Sequence, residues 1–304
     1  MAILPGSAAS SALAASAPLE AWSQVCIVGL GLIGGSLARA LRQRLPTLRL
    51  VGIERAQSLH NPALGLLVDE VCAEDDRARV EHAFQRSELI CVATPVATIS
   101  GWLGRALAHG NVVTDCGSSK RAISAAALAS GHASRFVPGH PMAGAGADRS
   151  ALTPALFEGR PWLLCPEQCD AQALAAVEAL VTLVGARPVR MTAAVHDRAV
   201  ALTSHAPRLV ASVLMALAEE QQALDAAGPA FERITRGAGG SLEMWRDVLD
   251  SNADEVARAL RLLMGELERC ASELEQGRVE RNLATLAAAE RAREAFDARR
   301  RPGS

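Results

Sequence analysis

Three observations predict an α/β protein with a doubly wound, mainly parallel sheet, followed by an all-α C-terminal domain. A β-branched run ending at Val28 feeds into Gly29-Leu30-Gly31-Leu32-Ile33-Gly34, and a helical pattern carried by Leu37, Ala40 and Leu41 follows at once. From Val25 to about Met191, short apolar runs then alternate with helical windows. From Thr192 onward no convincing strand remains, and long Ala/Leu/Glu/Arg-rich helical stretches take over. The chain divides accordingly into a lead-in over 1–21, a sheet-forming domain over 22–191, a helical domain over 192–298 and a tail over 299–304.

The first strand and its turn set the chemistry. A strand, a G-x-G-x-x-G turn and a helix N-terminus in that order form the dinucleotide-binding arrangement of a Rossmann-type sheet. Gly29 makes the turn, Gly31 lets the backbone approach a pyrophosphate, and Gly34 lets helix and strand pack closely. The free N–H groups and positive dipole end of the helix receive the phosphates, with Leu30, Leu32 and Ile33 between the glycines. A second strand, Leu48-Arg49-Leu50-Val51-Gly52-Ile53, ends at Glu54, about 20 residues beyond the last glycine, where a carboxylate binds the ribose diol. That carboxylate repels a 2′-phosphate and favours NAD; Arg55 beside it would offset the repulsion and admit NADP.

Further strands are read at 88–93, 111–115, 134–138, 161–165 and 187–191, with helical windows at 96–108, 120–129 and 171–184 between them. In the second domain, helices are expected over 193–218, 241–251 and 252–298, the last broken near Gly277 and the first kinked at Pro207, which lacks a backbone donor. These helices are very apolar on one side, which fits burial against a second subunit; a single tight bundle is the alternative.

Composition narrows the classes. The chain has 304 residues, half of them hydrophobic, enough for one large core or two ordinary ones. A net charge of −2 gives no reason to expect nucleic acid or an anionic membrane as partner. No apolar run is read as approaching the ~20 residues of a membrane span. The Ala/Ser-rich lead-in lacks the basic start of a secretory signal and reads as disordered. Seven scattered cysteines suit reduced thiols in the cytosol. Cys165 and Cys169 have no second Cys/His pair to complete a zinc site, so no metal is expected. The Arg299-Arg300-Arg301 run reads as solvated tail.

Three clusters fall at the carboxyl ends of strands, where ligands bind in open α/β sheets. Thr94-Pro95 ends one strand, either beside a dinucleotide or as a plain turn. Asp115-Cys116-Gly117-Ser118-Ser119-Lys120 ends another, and Ser118 or Ser119 is placed to cap the helix behind it. Gly139-His140-Pro141-Met142-Ala143-Gly144 directly follows a strand, and its small residues and prolines leave room for a ligand beside His140, a candidate catalytic residue whose alternative is a structural role.

In this order the motifs resemble the prephenate/arogenate (cyclohexadienyl) dehydrogenases of tyrosine biosynthesis, from about Val25 to Asn252. Later matching parts are His196-Asp197, Ser204-His205-Ala206-Pro207, Phe231 to Arg236, and Met244-Trp245-Arg246-Asp247. The resemblance implies NAD-dependent oxidative decarboxylation of prephenate to 4-hydroxyphenylpyruvate. It implies that His140 is the general base, that Ser118 orients His140 and the ring hydroxyl, that Arg236 holds the side-chain carboxylate, and that His205 lines the pocket. For His205 a buried packing role stands beside that one. The sequence departs from the family at Arg208, where a second histidine is common, and at Glu232-Arg233, where a basic-acidic pair is common. Arg208 either adds positive charge for a dianionic substrate or sits at the surface. Gly146 stands where many relatives have an acidic residue that could pair with arogenate's ammonium, which tilts the reading to prephenate, although Asp148 nearby could compensate. A regulatory domain after the helices is not expected. Two rivals remain: an arogenate or dual-specificity enzyme, and a nucleotide-sensing protein without turnover. A β-hydroxy-acid dehydrogenase would need a lysine in the helical domain, and Lys120 is the only lysine in the chain.

Overall fold

The computed structural model describes residues 22–144 and 152–298; the expectations for 1–21, Gly146, Asp148 and 299–304 lie outside the described residues. The first half builds a six-stranded parallel sheet of order β3-β2-β1-β4-β5-β6. Its strands are β1 (Gln24–Val28), β2 (Arg49–Glu54), β3 (Glu70–Ala73), β4 (Leu89–Val92), β5 (Val112–Asp115) and β6 (Phe136–Val137). The helices that connect or cover them are α1 (Leu32–Arg44), α2 (Arg77–Arg86), α3 (Val96–Leu107) and α4 (Arg121–Ala129). The order reverses beside β1, so the carboxyl ends of β1 and β4 flank the crevice where such sheets bind ligands.

Alternation along the strands explains the layers. Val25 and Ile27 point into one core with Leu37, Leu41 and Val177; Cys26 and Val28 point into the other with Val80, Phe84, Ile99 and Leu103. Strand β3 and helix α2 escaped the sequence reading. The strand is a four-residue edge opened by Glu70, and α2 buries only Val80, Ala83 and Phe84, too little for a clear apolar stripe.

The sheet assignment needs a correction at its end. The strands expected at 161–165 and 187–191 do not extend the parallel sheet. They form β8 (Pro161–Leu164) and β9 (Arg187–Arg190) of a separate three-stranded sheet of order β7-β8-β9, with α5 (Ala171–Leu183) between them. Strand β7 (Gly139–Pro141) carries His140 and pairs antiparallel with β8. Pro138 has no N–H to continue a ladder, so the chain changes sheets there, and Pro188 is tolerated on an edge strand.

The second domain is all-helical. Helix α6 (Ala193–Val200) runs through a π turn (Ala201–His205) into α7 (Ala206–Glu220). The widened turn lies just before Pro207, where the ring would otherwise collide with the preceding turn and leave a carbonyl unpaired. Helices α8 (Pro229–Thr235), α9 (Leu242–Ser251), α10 (Ala253–Glu275) and α11 (Glu280–Ala298) follow, and Gly277, at φ +68°, makes the expected break. The continuous helix 193–220 is long and apolar enough, by length and composition alone, to cross a membrane, but Asp197, Arg198 and Arg208 interrupt it, so it holds no apolar run of that length. Its buried polar residues His196, Asp197 and His205 face the first domain's site, while Leu202, Val213 and Leu217 are exposed.

Candidate active site

The glycine loop has the geometry a dinucleotide needs. Gly29 has φ +88°, a conformation L side chains rarely adopt, and its N–H donates to the Ile53 carbonyl at 2.8 Å. A Cβ on Gly34 would lie 1.9 Å from the Gly29 carbonyl oxygen, so α1 can approach β1 only with glycine there. A Cβ on Gly31 would meet nothing within 4 Å, so this backbone borders open space. Leu32 and Ile33 open α1, and no side chain caps its N-terminus. The free N–H groups and open space suit a pyrophosphate. Leu30 is buried, and its N–H donates to Glu54 Oε2 at 2.8 Å; Glu54 Oε1 accepts from the Arg55 N–H at 3.0 Å. Glu54 thus braces the loop from the end of β2 and keeps lone pairs for a ribose diol. Arg55 is exposed, its Nε 3.9 Å from Glu54. Thr94 packs against the same turn: its methyl would lie 3.1 Å from a Cβ on Gly29, and Pro95 leads into α3.

Beside this crevice the two domains meet in a chain of polar contacts. His140 is half-buried, and its Nδ1 lies 2.9 Å from His196 Nε2. His196 Nδ1 lies 2.7 Å from Asp197 Oδ1. His196 and Asp197 are fully buried. Asp197 also accepts from the backbone N–H of Lys120 at 2.7 Å and of Arg121 at 2.9 Å. It therefore caps α4 from the other domain, which corrects the expectation that Ser118 or Ser119 does so. The buried Ser119 hydroxyl has no partner among the described residues. Ser118 makes no hydrogen bond to His140; the side chain that fixes His140 is His196.

A second buried unit fixes the strand that carries His140. Lys120 Nζ pairs with Asp115 Oδ2 and donates to the Gly139 carbonyl at 2.7 Å. Asp115 accepts from the N–H of Gly139 at 3.0 Å and of Gly117 at 2.8 Å. The single lysine is thus a structural cation at the end of β5.

Burial pushes His140 well below the ordinary histidine value, and His196, Lys120 and His205 add to it. Burial also lowers His196, partly opposed by Asp197, and pushes His205 to about 4. For Asp197 burial acts upward, but the bonds from His196, Arg121 and Lys120 prevail and hold its carboxyl below the usual value. The three imidazoles are neutral in the folded protein at pH 7. Their folded pKa values lie below the unfolded 6.5, so acidification protonates the unfolded chain first and folding free energy falls. The fall begins below 6.5 and for His205 ends near 4, amounting to about 3 kcal/mol for that residue. Urea unfolding midpoints should drop between about pH 7 and about pH 5; midpoints that stay level would contradict the neutral cluster.

The remaining sequence-predicted residues lie on the helical side. His205 is buried, its Nδ1 3.4 Å from Asn252 Nδ2 and its ring edge-on to Trp245, which matches the packing role left open for it. Arg208 lies over the Trp245 ring at 5.4 Å and donates to the Gly239 carbonyl at 2.6 Å. Arg236 is exposed and follows α8 in a short 3₁₀ turn packed on α7, the helix of Arg208; it makes no contact with His140. The structure thus joins His140 to His196 and Asp197, and does not bring Arg236 to them. Sequence reasoning gave no role to His196, Asp197 or Asn252, whose amide donates to the Asp197 carbonyl at 2.8 Å. The available signal was an adjacent His-Asp pair at the start of a helix just after a strand.

A glycine-cradled nucleotide crevice beside a neutral histidine defines the class of dinucleotide-dependent oxidoreductases. The prephenate dehydrogenase nucleotide-binding domain model matches residues 37–190, and the prephenate dehydrogenase dimerization domain model matches 192–288. A prephenate dehydrogenase of Bacillus subtilis is 33% identical over 270 residues, spanning 83% of this chain and 70% of its own. A cyclohexadienyl dehydrogenase of Zymomonas mobilis is 25% identical over 264 residues, 83% of this chain and 88% of its own. The crystal structure of an arogenate dehydrogenase of Synechocystis superposes with a TM-score of 0.75 at 29% identity, covering 90% of this chain and 99% of the other. The chain belongs to the prephenate dehydrogenase family and is an oxidoreductase of that family.

Proposed function

We propose that this enzyme oxidises and decarboxylates prephenate to 4-hydroxyphenylpyruvate with NAD. The observation that carries the reading is His140. It is neutral and half-buried at the rim of the nucleotide crevice, and its Nε2 has no partner among the described residues. The Gly29–Gly34 turn and Glu54 would hold NAD, which would supply the hydride acceptor. His140 Nε2 takes the proton of the ring hydroxyl as the carbon–oxygen bond becomes a carbonyl. The ring carboxylate then leaves as carbon dioxide and the ring becomes aromatic, which drives the step. The protein's share is orientation and the base. Ser118, half-buried in the loop after β5, binds the hydroxyl in this reading. Arg236 engages the side-chain carboxylate as a guanidinium fork, and Arg208 adds positive charge on the same side. His205 backs this wall from within.

Glu54 supports NAD over NADP, since its carboxylate opposes a 2′-phosphate. The enzyme works as a homodimer through its helical domain. Helix α11 buries no residue in the single chain, and Leu262, Met264, Leu267 and Leu286 are exposed, an apolar surface that a second subunit would cover.

The test follows the absorbance of reduced nicotinamide with each pairing of NAD or NADP and prephenate or arogenate. Turnover with NAD and prephenate is expected; turnover with arogenate alone would overturn the substrate assignment. Arg236→Ala should raise KM for prephenate roughly tenfold or more, as loss of a charge-assisted pair implies, with kcat less affected. An unaltered KM would remove the carboxylate role.

A further inference from the structure

We propose that His196 is a positioning residue: with Asp197 behind it, it forces the proton of neutral His140 onto Nδ1 and leaves the Nε2 lone pair for the substrate. This rests on the reading of His140 as base, and deepens it. The order of protons follows from the donor inventory. Asp197 is a carboxylate and can only accept, so in the 2.7 Å contact the proton is on His196 Nδ1. Neutral His196 then has a bare Nε2, which can only accept. The proton in the 2.9 Å contact between the rings therefore belongs to His140 Nδ1. Neutral His140 is left with a bare Nε2, the one ring nitrogen without a partner among the described residues.

The relay is held rigidly at its far end. Asp197 takes the first N–H groups of α4, from Lys120 and Arg121, and the Arg121 side chain at 3.2 Å. Arg121 also reaches Asp254 at 2.8 Å and Asn252 at 3.2 Å, while the Asn252 amide returns to the Asp197 carbonyl. The carboxylate cannot turn away from His196 without breaking the contact between the two domains. When His140 takes up a proton, its Nδ1–H already points at the His196 lone pair, with the negative Asp197 behind. The new positive charge is met without reorientation.

The test reads the proton directly. In protein carrying ¹⁵N-histidine, the His140 resonances should show Nδ1 protonated and Nε2 bare at neutral pH. His196→Leu removes the acceptor, and His140 should move toward its Nε2–H form. Its kcat should fall on the order of 10²–10³-fold with KM for prephenate within about twofold, the pattern of a base in the wrong tautomer. His196→Gln places an amide oxygen where Nε2 was; it should keep the His140 tautomer and retain kcat within about tenfold. An Nε2–H His140 in the unmodified protein would overturn the proposal, as would full kcat in His196→Leu. Should His196→Leu not fold, the unmodified spectrum and His196→Gln still decide. Absence of prephenate turnover in the unmodified protein would instead refute the function, since the spectrum reports the tautomer without turnover.

Discussion

Replacing His140 by Asn is expected to lower kcat by about 10²–10⁴-fold while nucleotide affinity stays within a small factor. Asparagine retains a donor toward His196 Nε2 and so preserves the contact across the domains, but presents no base to the cleft. Nucleotide affinity rests on other elements. The Gly29–Gly34 turn and Glu54 belong to β1, α1 and β2, while His140 lies on β7 of the second sheet. Calorimetric titration with NAD separates the effects, since a disordered variant would lose both. Unchanged turnover in this variant would refute the assigned base.

The second large effect is on folding. Lys120→Met should destabilise the protein by about 3–5 kcal/mol, the usual result of breaking a buried pair from one side. Lys120 and Asp115 are fully buried, and without the ammonium the carboxylate keeps only two backbone donors, from Gly117 and Gly139. The Gly139 carbonyl also loses its Lys120 partner. The residue after Gly139 is His140, so activity should fall alongside stability. The double variant Asp115→Asn/Lys120→Met should recover part of the loss, because no uncompensated charge remains. Urea unfolding provides the measurement, and a loss below about 1 kcal/mol would show the pair to be energetically idle.

These two residues mark how far the sequence could be read. His140 stands out in the sequence as a candidate because a strand, two prolines and small residues isolate it in the chain, and the glycine turn was legible because each glycine answers a distinct steric need. Lys120 was legible only as part of a motif. Its partner in space, the Gly139 carbonyl, comes from a strand that changes sheets at Pro138, and no local pattern announces that change. Asp197 was hidden for the same reason: it caps a helix 76 residues earlier in the chain, a relation that exists only after the domains dock. The serines of the Asp115–Lys120 stretch were locally better candidates for that cap, and the tertiary contact displaced them. The helical domain was read correctly in type and in its break at Gly277, but periodicity alone does not separate a face that packs inward from one awaiting another subunit.

The most direct test of the account is the crystal structure of the enzyme with NAD and a non-reacting hydroxyl-bearing analogue of prephenate. The expected result is His140 Nε2 about 3 Å from the analogue's hydroxyl, with Nδ1 still on His196 and the nicotinamide on the far side of the ring carbon. A His140 imidazole turned away from the hydroxyl, with another side chain at bonding distance, would contradict it.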